Sequence, residues 1–271
     1  AYASTINDTD PTLSVEPRNT RGSTENIPLL EAGGIDIGQA TGEVTYEALQ
    51  GIGRPKAELR IVNAMYASFG MFAVRADSPA RTIADLRGKP IAWGASGSGF
   101  VVLARYVMDG LGLDLERDFQ PIYLERAGDG SAMVLDGRAA ALWGGGIGWP
   151  NFVTLAKAGA RFVAPTPDDV RRVQAKHVFI KTIAVPPGSY PGQDAAIAAP
   201  GSWSLVLASP RLADDVAYRL VRALHRGRGA IAARHPQGHE STLENTLAAA
   251  VTRELVHPGV LRYMREAGIL R

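Results

Sequence analysis

Glycine-bearing turns that join short apolar strands to helical segments recur along this 271-residue sequence, and they constrain its fold most strongly. The clearest turn is WGASGSGF, residues 93–100, which ends an apolar run from Pro90 and opens the helical pattern FVVLARYVMDG. The same order recurs at three other turns: Arg18–Ser23 after a strand predicted at Thr12–Pro17, Thr41–Glu43, and Gly144–Gly148. Apolar strands bounded by helices predict an α/β fold whose sheets are covered on both faces.

The turn at residues 93–100 matches none of the common catalytic loops. A phosphate-binding P-loop needs Lys and Ser/Thr after its last glycine, but Phe100 follows Gly99. A nucleophile elbow needs glycine where Ser98 stands, and the dinucleotide fingerprint lacks its third glycine. Two interpretations stay open: a tight turn without a ligand, or an anion site built on a helix N-terminus. Four similar turns at the carboxyl ends of strands favour the ligand site.

Bulk composition excludes several other classes. The net charge of +2 gives no argument for nucleic acid, and the absence of cysteine excludes disulfides and thiolate metal sites. No apolar run approaches the length of a membrane span. The five histidines form no metal-binding spacing, since Pro236 and Gly238 interrupt the pair His235 and His239. We therefore predict no metal, no cofactor and no nucleic-acid partner.

Two stretches are typical of crossings between lobes. Leu59–Arg75 contains two strand-like runs around Ser68-Phe69-Gly70, and Thr182–Ser209 holds two more around a Pro-Gly-rich segment. The predicted organisation is lobe one at residues 1–76, lobe two at 77–203, and a return to lobe one with C-terminal helices at 204–271.

Several motifs resemble those of a known family and come in its order over nearly the whole chain. They are GSTENIPLLEAGGIDI, VTYEALQG, FAVRADSPARTIADLRGKPIAWGASGSG, LDGRAAALWGGGIGWPNFVTLA, PPGSYPGQD, LENTLAAAV and HPGVLRYMREAGIL. The sequence resembles the TAXI family, the extracytoplasmic solute-binding proteins of TRAP (tripartite ATP-independent periplasmic) transporters. The resemblance implies a two-lobed type II periplasmic binding fold in which each lobe is a mostly parallel sheet flanked by helices.

The same resemblance implies a function. The lobes would close on a small organic anion, a glutamate-like amino acid or another carboxylate, and deliver it to a TRAP membrane permease. It also implies a periplasmic location, with the signal peptide outside this sequence. The family's first strand and its Gly-Thr-rich loop are missing here, so lobe one would lack its first strand. Thr41-Gly42-Glu43 replaces the family's Gln-Ser-Asp, and Phe100 replaces a threonine.

The candidate ligand-binding residues lie at the glycine turns. Ser96, Gly97, Ser98, Gly99 and Phe100 would hold a carboxylate in lobe two, and Phe100 indicates a ligand with an apolar portion. Gly22, Ser23, Thr41 and Glu43 would form the matching turns in lobe one, and Trp149 and Tyr190 would pack over the ligand. Simpler interpretations stay open: the serines and Thr41 as helix caps, Glu43 as favourable charge at a helix start, and the aromatic residues as core.

Arg75 could bind a carboxylate or brace the crossing. The predicted function is a binding receptor that is not an enzyme. The alternative is a small-metabolite hydrolase or deaminase on the same fold, which would need a nucleophile with a base in reach.

Overall fold

The structure is a computed structural model that describes residues 1–270. The α-helices are α1 (Tyr2–Thr9), α2 (Ser23–Ala32), α3 (Gly42–Gln50), α4 (Gly99–Gly110), α5 (Gly130–Leu135), α6 (Pro150–Lys157), α7 (Pro167–Lys176), α8 (Asp214–Arg226), α9 (Arg228–Arg234), α10 (Leu243–Ala249) and α11 (Pro258–Glu266). The strands are β1 (Ile37–Thr41), β2 (Arg60–Phe69), β3 (Met71–Val74), β4 (Pro90–Ala95), β5 (Gln120–Leu124), β6 (Ala141–Gly144), β7 (Arg161–Val163), β8 (Lys181–Val185) and β9 (Ile197–Ala208).

The chain divides into two compact units. Unit 1 comprises residues 1–66 and 203–271, and unit 2 comprises residues 67–202. The boundaries fall inside β2 and β9, which lie in the two predicted crossings. The first boundary differs from residue 76, where the sequence placed it, because β3 pairs with β6 and β7 of unit 2.

Unit 2 is built around a five-stranded sheet of order β5-β4-β6-β3-β7. β4 runs parallel to β5 and to β6, whereas β3 runs antiparallel to β6 and β7. The sheet is therefore mixed, and the prediction of a mostly parallel sheet is wrong on this point.

Unit 1 also departs from the parallel expectation, because β1 pairs antiparallel with the last part of β9, from Ala208 back to Ser204. The strand predicted at Thr12–Pro17 is wrong, since this stretch is irregular. The Asn7 side chain accepts from the backbone N–H of Val15 (2.8 Å) and donates to its carbonyl (3.0 Å). These bonds satisfy backbone groups that a neighbouring strand would otherwise pair.

The predicted strand–turn–helix units elsewhere are confirmed. β4 ends at Ala95 and α4 begins at Gly99, as the turn chemistry of residues 93–100 indicated. Pro150 occupies the first turn of α6, where its missing N–H breaks no helical bond. Gly33 and Gly51 end α2 and α3 in the left-handed conformation.

None of the described helices combines the length and the apolar character needed to cross a membrane.

Arginine side chains of α8 contact the residue that follows the first helix. Arg219 and Arg222 both reach the Asp10 carboxylate, at 3.5 and 3.3 Å. Hydrogen bonds from Thr12 lower the pKa of Asp10 from its usual 3.8 to about 2. An isolated surface ion pair contributes little to the free energy of unfolding. Here one carboxylate contacts two arginines and a hydroxyl at the end of α1.

We expect Asp10→Asn to flatten the acid limb of the stability profile. Since the pKa of Asp10 is lower in the folded than in the unfolded chain, its contribution is present above pH 4 and is lost as the pH falls towards 2. Urea midpoints measured from pH 5 to pH 2 should therefore fall less steeply for Asp10→Asn than for the unmodified chain. Parallel curves for the two proteins would contradict this account.

Candidate functional site

Three parallel strands of unit 2 end at the same edge of its sheet. β5, β4 and β6 are neighbours, and their last residues are Leu124, Ala95 and Gly144. A turn follows each of them and leads into α5, α4 and α6. Helices that follow parallel strands direct their N-terminal N–H groups towards this edge, which is where ligands bind in open α/β sheets. The edge is therefore the candidate site of unit 2.

The turn between β4 and α4 presents an unused polar side chain. Ser98 is the N-cap of α4, but its side chain accepts no capping bond, and its Oγ is buried without a hydrogen-bond partner. The backbone of the turn is fixed by the bond from Ser98 N to Ala95 O (2.9 Å) and by the bond from Ser96 N to Leu124 O (3.2 Å). Gly97 has φ 78°, a conformation that strains any residue with a Cβ. Ser96 and Gly97 are exposed, and Gly99 is the buried first residue of α4.

Two aromatic side chains join the α4 turn to the α6 turn. The rings of Phe100 and Trp149 lie 5.3 Å apart, and both side chains are half-buried. Trp143, on β6, donates from Nε1 to the Phe100 carbonyl at 3.0 Å. A Cβ on Gly144 would come within 2.5 Å of Trp149, so the glycine permits this close approach of the ring. The structure thus brings Phe100 and Trp149 together beside Ser98.

Tyr190 lies in the hydrophobic core. It is 1% exposed, and its ring packs on Phe152 and Phe162 in the hydrophobic core of unit 2. Its hydroxyl donates to the Gly146 carbonyl at 2.6 Å, and burial raises the pKa of Tyr190. The side chain therefore supports the turn after β6, and its contact with a ligand stays a prediction.

The predicted residues of unit 1 lie where the starts of α2 and α3 meet. Ser23 begins α2, and its Oγ accepts from the backbone N–H of Thr41 at 3.2 Å. Thr41 is the N-cap of α3, yet its Oγ1 is also buried and unpaired. Gly22 caps α2 with its carbonyl, which accepts from the N–H of Glu25 and Asn26, and Glu43 is buried in the first turn of α3.

Sequence reasoning missed two residues near these helix starts. Asn26 and Thr45 are 8% and 3% exposed, and each has a buried oxygen without a partner, Oδ1 and Oγ1 respectively. The available signal was the spacing of Thr45, which comes four residues after the N-cap Thr41, because residues at this spacing lie on the same side of a helix.

Arg75 and several histidines form hydrogen bonds or ion pairs with residues outside the candidate site. Arg75 forms a two-point ion pair with Asp77, which lowers the pKa of that carboxyl. His177 bonds to Asp109, in the last turns of α4, and His225 bonds to Tyr263. His257 caps α11 and bonds to the Leu212 carbonyl, and burial lowers its pKa. Within residues 1–270, no group of three or more His, Asp or Glu side chains could hold a metal ion.

Comparison with known protein families matches residues 2–268 to the NMT1-like family, which is nearly the whole chain. The chain belongs to the NMT1-like family.

Three solved structures share the fold of this NMT1-like chain. The alkanesulfonate-binding protein SsuA of Xanthomonas axonopodis pv. citri, bound to MOPS, is 18% identical, with a TM-score of 0.53 over 97% of this chain and 76% of that chain. PhnD1 of Prochlorococcus marinus, in complex with methylphosphonate, is 9% identical, with a TM-score of 0.53 over 99% and 91%. A TctC solute-binding protein from Polaromonas is 12% identical, with a TM-score of 0.54 over 99% and 91%. The predicted α/β fold of periplasmic solute-binding proteins is therefore confirmed.

We expect Ser98→Ala not to destabilise the NMT1-like chain. Because Ser98 Oγ makes no capping bond and is buried unpaired, its removal relieves an unsatisfied polar group and should raise the free energy of unfolding by about 1 kcal/mol. Thr242→Ala is the matched control, since Thr242 caps α10 by accepting from Asn245 N at 3.1 Å, and its loss should cost about 1 kcal/mol. Urea unfolding of both variants gives the measurement. An equal loss in both would mean that Ser98 caps its helix in the ordinary way.

Proposed function

We propose that this protein is an extracytoplasmic solute-binding receptor that captures a small organic anion and delivers it to a membrane permease. The observation that carries the proposal is the buried, unpaired hydroxyl of Ser98 at the N-terminus of α4, on the edge where β5, β4 and β6 end. Oriented backbone N–H groups supply positive potential there, so an acid group needs no lysine or arginine. The shared fold supports the receptor role, since the similar structures include one described as an alkanesulfonate-binding protein and one described as a solute-binding protein.

The acid group is the best-supported part of the ligand. A helix N-terminus accepts a carboxylate, a sulfonate or a phosphonate in the same way, through hydrogen bonds from backbone N–H groups. The similar structures are described as an alkanesulfonate-binding protein and as a complex with methylphosphonate. The sequence motifs that resemble those of the TAXI family favour a carboxylate, including a glutamate-like amino acid, and a TRAP permease as the membrane partner.

The rest of the ligand is expected to have an apolar part. Phe100 and Trp149 form a continuous aromatic surface beside the turn, and the rings are only half-buried. Aromatic surface that is left partly open next to an acid-binding turn gains free energy when apolar groups cover it, at about 25 cal/mol per Å². We therefore infer an organic anion with a short apolar portion rather than an inorganic ion.

Binding without turnover fits the surroundings of the turn. A hydrolase would need a base within hydrogen-bond reach of Ser96 or Ser98. The partners found for His177, His225 and His257 are Asp109, Tyr263 and the Leu212 carbonyl, none of them in this turn. We infer that Ser98 binds the acid group and does not attack it.

The periplasm is the expected location, because an extracytoplasmic receptor must meet its membrane permease on the outer side of that membrane.

We expect Ser98→Ala to weaken binding of the acid group by about 10- to 100-fold, since a hydrogen bond to a charged group is worth about 1.5–3 kcal/mol. Succinate, ethanesulfonate and methylphosphonate are the probes, and isothermal titration gives the affinity. Ser78→Ala is the matched control, because Ser78 follows β3, which runs antiparallel to β6 and so ends at the opposite edge of the same sheet.

The same titrations separate the receptor from an enzyme. The unmodified chain and Ser78→Ala should bind at least one probe with equal affinity, and the probe should be recovered unchanged after prolonged incubation. Conversion of a bound probe would favour the hydrolase or deaminase alternative. Equal affinities for Ser98→Ala and Ser78→Ala would show that the turn at residues 96–98 is only a turn.

A further inference from the structure

A cavity of about 380 Å³ lies within unit 2, at the C-terminal end of α4. It is lined by the second half of α4, the loop that leads into β5 and the last residue of α7. Cavities of this size accept small molecules. Most of the lining residues are charged, which favours a ligand that is itself charged: Arg105, Arg117, Lys176, Asp109, Asp114 and Glu116.

This cavity is separate from the acid-binding turn. Ser98 precedes the first residue of α4, whereas Arg105 and Asp109 lie in the second half of the helix. α4 has 12 residues and is therefore about 18 Å long. A ligand in the cavity would thus bind apart from Ser98 and independently of the proposed function.

Four of the six charged side chains already have a counter-charge. Lys176 Nζ lies 2.8 Å from Asp109 Oδ1, and Arg117 Nε lies 3.7 Å from Asp114 Oδ1. The other carboxylate oxygen of Asp109 lies 2.7 Å from His177 Nε2. Asp114 also accepts from two backbone N–H groups of its own loop, which fixes this part of the cavity lining. The remaining charges are those of Arg105 and Glu116.

Arg105 and Glu116 share a neutral partner instead of a charged one. The Tyr123 hydroxyl donates to Glu116 Oε1 at 2.5 Å. Burial and this hydrogen bond raise the pKa of Tyr123, and the guanidinium of Arg105 is close enough to oppose the rise. Among the described residues, neither Arg105 nor Glu116 forms an ion pair with another side chain. A guanidinium and a carboxylate thus lie next to the same hydroxyl, each without a counter-charge.

We propose that this cavity binds a zwitterionic α-amino acid, with its carboxylate on Arg105 and its ammonium group on Glu116. Arginine binds a carboxylate through two parallel N–H bonds, and an ammonium group has three donors to offer a carboxylate. An α-amino acid carries both groups on one carbon atom, which suits two protein charges that lie next to one hydroxyl. A single ligand then neutralises both.

The charge balance of the lining selects a zwitterion over other ligands. Three cationic and three anionic side chains line the cavity. A simple anion would neutralise Arg105 but leave Glu116 without a counter-charge, and a simple cation would do the reverse. An apolar molecule would cover both charges and offer them no hydrogen bond, which is costly.

Alanine, propionate and ethylamine test the two charges separately, because propionate lacks the ammonium group of alanine and ethylamine lacks its carboxylate. Backbone amide NMR spectra of the isotope-labelled full chain locate the binding through the signals of residues 112–117. We expect alanine to shift these signals, and propionate and ethylamine to bind at least about 10-fold more weakly. Signals of residues 96–100 report on the acid-binding turn in the same spectra.

Arg105→Gln and Glu116→Gln are the test variants, since each removes one of the two charges and keeps a long polar side chain. Both residues are exposed, so we expect the variants to fold normally. Each should weaken alanine binding by about 10-fold. Arg171→Gln is the matched control: it removes an arginine charge from α7 that is paired with Asp168 and lies outside the cavity lining, so the affinity should stay within about twofold.

This site and the proposed function fail separately. Absence of shifts at residues 112–117 with alanine at up to about 50 mM would overturn the amino acid site, whatever happens at residues 96–100. Binding of propionate or ethylamine as tight as that of alanine would overturn it too, as would an unchanged affinity in Arg105→Gln or Glu116→Gln. In Ser98→Ala the shifts at residues 112–117 should persist. Their loss would mean that alanine binds at the α4 turn instead, and would overturn the separate site.

Discussion

Parallel pairing between β4 and β6 is the constraint on which the candidate site of unit 2 depends. Ile91 and Ala92 pair with Ala141 and Leu142, so two strands about 50 residues apart in sequence end side by side. Their turns then meet at the sheet edge, where Phe100 and Trp149 are in contact. Two side-chain hydrogen bonds hold these turns: Trp143 donates to the carbonyl of Phe100, and Tyr190 donates to the carbonyl of Gly146. The site is therefore positioned by core residues that need not touch a ligand.

Much of the strand–turn–helix structure of this site could be predicted from local sequence patterns. Pro90–Ala95 as a strand, the glycine turn, and the helix from Gly99 follow from apolar runs and from turn residues that act on their neighbours. The reversed direction of β3 and the antiparallel pairing of β1 with β9 depend on partners far along the chain, and no local pattern encodes them. Thr12–Pro17 alternates as a strand does, but Asn7 satisfies its backbone instead of a neighbouring strand.

The positions of candidate site residues at helix starts could also be predicted from the sequence, but the surroundings of their side chains could not. Ser98 and Thr41 could be placed at helix starts because small hydroxyl residues follow strands there. For Asn26 the sequence held no such signal, and for Thr45 its spacing from Thr41 indicated only a shared helix face, because nothing in a sequence shows whether a side-chain oxygen will be buried or which partner it will find. Tyr190 shows the opposite case. Its sequence motif predicted a ligand contact, whereas its hydroxyl donates a hydrogen bond within the core to Gly146, in the turn after β6.

The hydroxyl N-caps of the described α-helices fall into two groups. Thr166 and Thr242 accept from the N–H three residues ahead, as helix caps ordinarily do. Ser98 and Thr41 occupy the same position in α4 and α3, but accept no capping bond and keep a buried oxygen unpaired. Each of these two helices thus forgoes about 1 kcal/mol that its own sequence could supply. At such a helix start, backbone N–H groups that the cap does not bind can form hydrogen bonds with a ligand instead. One uncapped helix start of this kind lies in each unit, α3 in unit 1 and α4 in unit 2.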